Sequence, residues 1–189
     1  MGARAYKSAE RGLGGIIGLS KTENRLKIFD YSDAVYYDDI MIVVLKGREF
    51  SFSKIQDLQG KNIGVRRGSS YGDAFEHGKK HIFNANEDTT AVQRLKKLLA
   101  GRIDAALIGP GKEGVRQVIH SDQALIENQH KFIILKKPFQ RDANYLGFPK
   151  TMKMQAALNA INNIIREGYE NGKITRIIEK FEQAKAQNL

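Results

Sequence analysis

The chain has 189 residues, 41% of them apolar, with 31 Lys and Arg against 21 Asp and Glu, a formal net charge of +10 and no cysteine. That apolar share supports a packed core and excludes global disorder. The missing cysteine excludes disulfides and thiolate metal sites.

No apolar run approaches the ~20 residues needed to cross a bilayer. Met1-Gly2-Ala3-Arg4-Ala5-Tyr6 has no apolar h-region, so no signal peptide is expected in this chain. The positive balance favours anionic partners. The basic residues are scattered, however, among them Lys7, Arg11, Lys21, Arg25, Lys27, Lys79, Lys80, Lys96, Lys97, Lys136 and Lys137. No run exceeds two, and aromatics do not interleave with them as a base-stacking surface requires, so no nucleic-acid partner is expected.

In chain order, residues 3–11 read as a short helix stopped by Gly12, and 13–19 as a glycine-rich apolar strand. Residues 20–27 are polar, with Ser20 or Thr22 available as a helix cap. The stretch 30–39, rich in Tyr and Asp, reads as a loop, and Ile40–Leu45 as a strand buried on both faces. A short turn at 53–58 precedes a strand at 62–66. Arg67-Gly68-Ser69-Ser70 then opens a helix over 71–80, and 81–85 reads as a strand. Thr89 and Thr90 cap an amphipathic helix presenting Val92, Leu95, Leu98 and Leu99. A strand at 104–108, a helix near 112–119 and strands at 132–135 and 145–148 follow. Helices at 152–167 and 174–184 close the chain.

This alternation with short glycine turns predicts an α/β fold with mostly parallel sheet. The layout of Ala9–Gly18, a helix end, a glycine stop, a small-residue strand and a closing glycine, recurs in Ala100–Gly109.

Ligands of open α/β sheets sit beyond the C-terminal strand ends, where helix N-termini offer free N–H groups. Three segments occupy such positions. In Gly18–Arg25, Ser20 leaves the strand end and Arg25 follows one helical turn later, so both can reach one anion. A guanidinium fork matches a carboxylate, although spacing alone favours a solvated arginine. In Arg66–Tyr71, a glycine and two hydroxyls, Ser69 and Ser70, make an anion-binding nest as plausible as a simple helix cap. Leu107–Gly111 carries no titratable group at its tip and reads as a structural turn. His77 and His81 can share a helix face, but without a third ligand they read as surface, so no metal and no catalytic residue is expected. Asp33, Asp38 and Asp39 lack calcium-loop spacing and read as a solvated loop.

Gly18-Leu19-Ser20-Lys21-Thr22-Glu23-Asn24-Arg25, followed by Phe29-Asp30-Tyr31-Ser32-Asp33, resembles the signature of the family 3 extracellular solute-binding proteins. Asp57–Val65 with Arg67–Ser70, then Gly101–Ala106 and Tyr145–Lys150, resemble that family's later landmarks, in the family's order over nearly the whole chain. The resemblance implies a two-lobed type II periplasmic-binding-protein-like fold with a C-terminal pair of helices. Lobe one would be 1–39 plus 145–189, lobe two 40–144, with the ligand between them. It implies that Arg25 grips a solute carboxylate with help from Ser20, and that Arg66, Ser69 and Ser70 contribute from lobe two.

The same resemblance implies no cofactor, a small anionic or amino-acid-like solute, and a partner permease of an ABC transporter at a periplasmic location. The chain differs from the pattern at Gly109, where amino-acid binders place an Asp for the α-ammonium, and at Gly14. It also starts later than family members, which leads to the expectation of an incomplete lobe one and a homo-oligomer or swapped dimer. Two other readings share the fold: a sensor domain of a signalling receptor, which a transmembrane helix encoded after residue 189 would favour, and a prephenate- or arogenate-dehydratase-like enzyme. The enzyme needs an acid or base beside the carboxylate grip, and Gly109 offers none.

Overall fold

The structure, a computed structural model, describes residues 3–187, and side chains for 4–181. The Met1-Gly2 start on which part of the leader reading rests lies outside the described residues. Helix α1 (Ala3–Glu10) is followed by a turn at Gly12, whose φ of 79° suits glycine, and then by β1 (Ile16–Leu19). Thr22, not Ser20, caps the one-turn helix α2 (Glu23–Leu26), its hydroxyl accepting the Arg25 N–H at 3.2 Å. β2 then runs from Phe29 to Leu45.

Beyond it come β3 (Asn62–Arg66), α3 (Asp73–His81), β4 (Asn84–Asp88), α4 (Ala91–Leu99), β5 (Ala105–Ile108), α5 (Gly111–His120) and α6 (Gln123–Glu127). β6 (Phe132–Ile134), β7 (Gln140–Pro149), α7 (Gln155–Glu170) and α8 (Lys173–Gln187) complete the order. The chain forms two compact units, one of residues 1–37 and 143–189, the other of residues 38–142. β2 and β7 each run through both.

In the unit of residues 38–142, β3 pairs in parallel with β4 and with β5, while β2 pairs antiparallel with β5 and β6. Parallel pairing thus holds for the β4–β3–β5 core and gives way to antiparallel pairing where β2 joins. The apolar run of β2 explains itself here. Ile40, Ile42 and Val44 enter a cluster with Ile63, Val65, Leu107, Phe75 and Phe83, whereas Met41 and Val43 enter another with Leu95, Leu98, Ile108, Val115 and Leu125. Alternate side chains of one strand therefore feed two cores on opposite faces. Gly64 sits under α4, where a Cβ would lie 2.5 Å from Ile103 Cδ1 and 2.7 Å from Arg94 Cγ. β4 ends the strand order. Along it, Lys97 Nζ donates to Asn86 Oδ1 at 2.6 Å and to the Glu87 carbonyl at 3.0 Å.

In the unit of residues 1–37 and 143–189, β1 pairs antiparallel with β7. Its core cluster is smaller: Ala9, Ile16, Leu19 and Phe29, with Tyr6, Ile28 and Tyr31 packed against it. Helices α7 and α8 pack on each other.

Four sequence readings are corrected. Residues 30–39 are not a loop but part of β2, which begins at Phe29. Long-range partners hold them extended: Asp33 N–H donates to Asn162 Oδ1 at 2.7 Å, Leu146 N–H to the Ser32 hydroxyl at 3.0 Å, and the Tyr169 hydroxyl to the Val35 carbonyl at 2.9 Å. The strand read at 81–85 lies instead at Asn84–Asp88, where register with β3 places it. Helix α3 opens at Asp73 with Gly72 as its N-cap at φ 94°, so neither Ser69 nor Ser70 caps it. Helix α6, capped by Asp122, was not foreseen.

Candidate functional site

In the unit of residues 1–37 and 143–189, the end of β1 and the turn of α2 converge on Arg25. Its side chain is only 8% exposed. Nη1 donates to the Ser20 carbonyl at 3.1 Å, and the guanidinium carbon lies 5.2 Å from the centre of the Tyr6 ring. The Tyr31 hydroxyl donates to the same Ser20 carbonyl at 3.4 Å. No carboxylate among the described residues lies within ion-pairing distance of Arg25. A buried cation without a counter-charge is costly unless something else supplies one.

Ser20 is buried as well. Between it and Thr22, Lys21 places its ammonium 4.0 Å from the Tyr145 ring centre and 5.4 Å from that of Tyr31. The Tyr31 and Tyr145 rings meet edge to face at 5.7 Å. Burial pushes the Tyr31 phenol well above its usual range, against the opposing pull of Arg25. Burial also lowers the Lys21 ammonium, with Asp33 opposing. Gly18, at φ 77°, keeps this strand end narrow, since a Cβ there would lie 3.2 Å from the Tyr36 hydroxyl.

In the unit of residues 38–142, the expected donors gather after β3. Arg66 is exposed at the strand end, and Ser69 N–H donates back to the Arg66 carbonyl at 3.0 Å, which turns the chain. Gly68, at φ 71°, makes that turn. Ser70 is buried and Ser69 half-buried. Tyr71 anchors the segment, its ring 4.9 Å from Phe75 and 6.2 Å from Phe139. Burial raises the Tyr71 phenol, with Arg94 and a Ser69 hydrogen bond opposing. At the end of β5, a Cβ on Gly109 would stand 2.8 Å from Ile40 Cδ1, so that strand end is filled by packing.

The structure thus places Ser20 beside Arg25 in one unit, and Arg66, Ser69 and Ser70 together in the other. Sequence reasoning overlooked Tyr6, Lys21, Tyr31 and Tyr145. It also missed a buried pair in which Arg94 Nε and Nη2 donate to Asp88 Oδ1 at 3.1 and 2.8 Å, while Nη1 donates to the Leu107 carbonyl at 2.6 Å. The signal was available: Arg94 lies four residues before Leu98 and beside Leu95, on the face of α4 that packs inward.

No protein-family model matches the chain. Over 162 residues it is 24% identical to the L-cystine-binding protein TcyJ of Escherichia coli strain K12, covering 85% of this chain and 56% of TcyJ. Over 165 residues it is 23% identical to the arginine-binding extracellular protein ArtP of Bacillus subtilis strain 168, covering 87% of this chain and 60% of ArtP. It superimposes with a TM-score of 0.67, at 22% identity, on the substrate-binding protein AbpA of a Streptococcus pneumoniae amino acid ABC transporter, solved with L-arginine, over 95% of this chain and 73% of AbpA. The chain therefore shares the fold of these substrate-binding proteins. It spans less than two thirds of the length of the two curated relatives. Among the described residues, no helix is long and apolar enough to cross a membrane.

Proposed function

We propose that this chain is part of an extracytoplasmic receptor that binds, without chemical change, a small amino-acid-like solute through its carboxylate and presents it to an ABC-type permease. TcyJ, ArtP and AbpA are named as binding proteins, and this supports a binding role over catalysis. The two compact units are proposed as the two lobes of the receptor. The observation that carries the reading is Arg25: a guanidinium 8% exposed, fixed by Ser20 and Tyr6, with no carboxylate partner among the described residues. A solute carboxylate supplies the missing counter-charge by a charge-assisted, two-pronged hydrogen bond. The Ser20 hydroxyl adds a neutral donor beside it. Arg66, Ser69 and Ser70 are proposed as the second set of donors.

Calorimetric titration with L-arginine, L-cystine, L-glutamate and a wider amino-acid panel tests this. Arg25→Ala is expected to weaken the cognate solute by about 2–5 kcal/mol, the cost of removing one partner of a buried charge pair. Arg25→Lys keeps the charge but loses the fork, and an intermediate loss is expected. Unchanged affinity in Arg25→Ala removes the carboxylate grip. Failure of every amino-acid solute to bind removes the receptor reading.

A further inference from the structure

Helix α3 carries His77 and His81 four residues apart, both exposed. That spacing stacks two side chains on one helix face. Their ring centroids lie 4.7 Å apart with planes inclined by 40°. Two imidazoles sharing one ion have a characteristic separation. With metal–nitrogen bonds of about 2.0–2.1 Å and each ring centre about 1.1 Å beyond its nitrogen, centroids lie about 4.5 Å apart at a right angle and about 5.2 Å apart at the tetrahedral angle. The observed separation sits near the right-angle value. Right-angle pairs belong to tetragonal and octahedral ions, and imidazole is a favoured ligand of Ni²⁺ and Cu²⁺.

We propose that His77 and His81 form a two-imidazole site for a divalent cation of this type, with solvent completing the coordination. Among the described residues no group of three or more His, Cys, Asp or Glu could hold a metal ion. The site therefore has two protein ligands and exchanges its ion readily. Its place in the helix helps. His81 is the last residue of α3, where the negative end of the helix dipole attracts a cation. Of the neighbouring lysines, Lys79 is engaged by Glu76 at 2.8 Å, which leaves Lys80 as the main opposing charge on the helix. An ion held by both rings clamps the final turn and binds the folded state in preference to the unfolded one.

The test is a calorimetric titration of the tag-free chain with Ni²⁺ near neutral pH, paired with thermal unfolding with and without Ni²⁺. One Ni²⁺ per chain and a raised unfolding temperature are expected. His77→Gln and His81→Gln should each weaken binding by about tenfold to hundredfold, the scale that loss of outer-shell partners already reaches, and should abolish the thermal shift. His120→Gln and His130→Gln should change neither. Because His77 and His81 are exposed, unfolding without metal should match the parent and confirm that the variants fold. Absence of Ni²⁺ binding, or binding that survives both His77→Gln and His81→Gln, overturns the proposal.

Discussion

The two units achieve order by different means. The unit of residues 38–142 places two apolar clusters against β2, β3 and β5, and its one deeply buried charge pair, Asp88–Arg94, is internally matched with side chains 2% and 4% exposed. The other unit has a four-residue cluster, and it contains all seven of the exposed large hydrophobics among the described residues: Leu13, Ile17, Leu26, Tyr37, Ile164, Ile177 and Phe181. Around its strand end, cations over aromatic rings take the place of aliphatic packing. Where charge is buried and paired within the protein, it serves the fold. Where it is buried without a carboxylate partner among the described residues, as at Arg25, the fold does not supply the counter-charge.

The sharpest way to break that contrast is to remove each arginine in turn. Arg94→Ala leaves the buried Asp88 carboxylate with only the Lys97 ammonium, 3.9 Å from Oδ2, and a loss of about 3–5 kcal/mol in folding stability is expected. Arg25→Ala leaves no carboxylate behind, so its folding cost should be nearer about 1 kcal/mol, that of one hydrogen bond. Chemical denaturation of both variants measures the difference, and equal losses would erase the distinction between a structural and a ligand-directed arginine.

Next in size is the packing beneath α4. Gly64→Ala forces a methyl group against Ile103 and the stem of Arg94, with an expected loss of about 1–3 kcal/mol. A loss this size would show in the same denaturation curves. A neutral result would mean that the core of residues 38–142 yields more than its burial suggests.

The smallest effect is a pH dependence. Tyr6 and Tyr31 hold their protons more tightly in the folded chain than in the unfolded one, chiefly through burial. Their contribution is complete below the ordinary tyrosine value of about 10 and is lost as pH rises above it. Lys21 has the opposite sign. Its lowered value costs stability at neutral pH, and the cost fades as pH rises towards the ordinary lysine value. Tyr71, raised by burial as well, shares the sign of Tyr6 and Tyr31, and three phenols against one ammonium give a net alkaline loss. Denaturation at pH 8 and at about pH 11 should show Tyr31→Phe losing less than the parent over that interval.

Legibility from sequence divided instead between apolar and polar segments. β3 was read as Asn62–Arg66, the bounds the structure has. The cap at Thr90 and the inward face of α4 were also visible, because apolar periodicity and short-range capping are written locally. The polar strands were not. Residues 30–39 look like a loop because Asp is a poor strand former. They are extended because Asn162, Leu146 and Tyr169, more than a hundred residues away, satisfy their polar groups. β4, Asn-Ala-Asn-Glu-Asp, was displaced for the same reason: its register comes from β3 and not from its own composition. At the candidate site, Ser20 and Arg25 were named through the family resemblance, since spacing alone favoured a solvated arginine. The aromatic surroundings could not be named, since Tyr6, Tyr31 and Tyr145 meet only through tertiary contacts.

The hydrogen bonds of Lys97 to Asn86 and to the Glu87 carbonyl have a bearing on solubility. A terminal strand with free carbonyls invites a neighbouring molecule to extend the sheet. On β4 one such carbonyl is already occupied, and the ammonium that occupies it would have to be displaced and left desolvated by any incoming strand. A strand this polar also offers a docking peptide little apolar surface in return. A single lysine, anchored on the helix that follows, thereby works as a guard against chain-to-chain polymerisation along the flank of the parallel core.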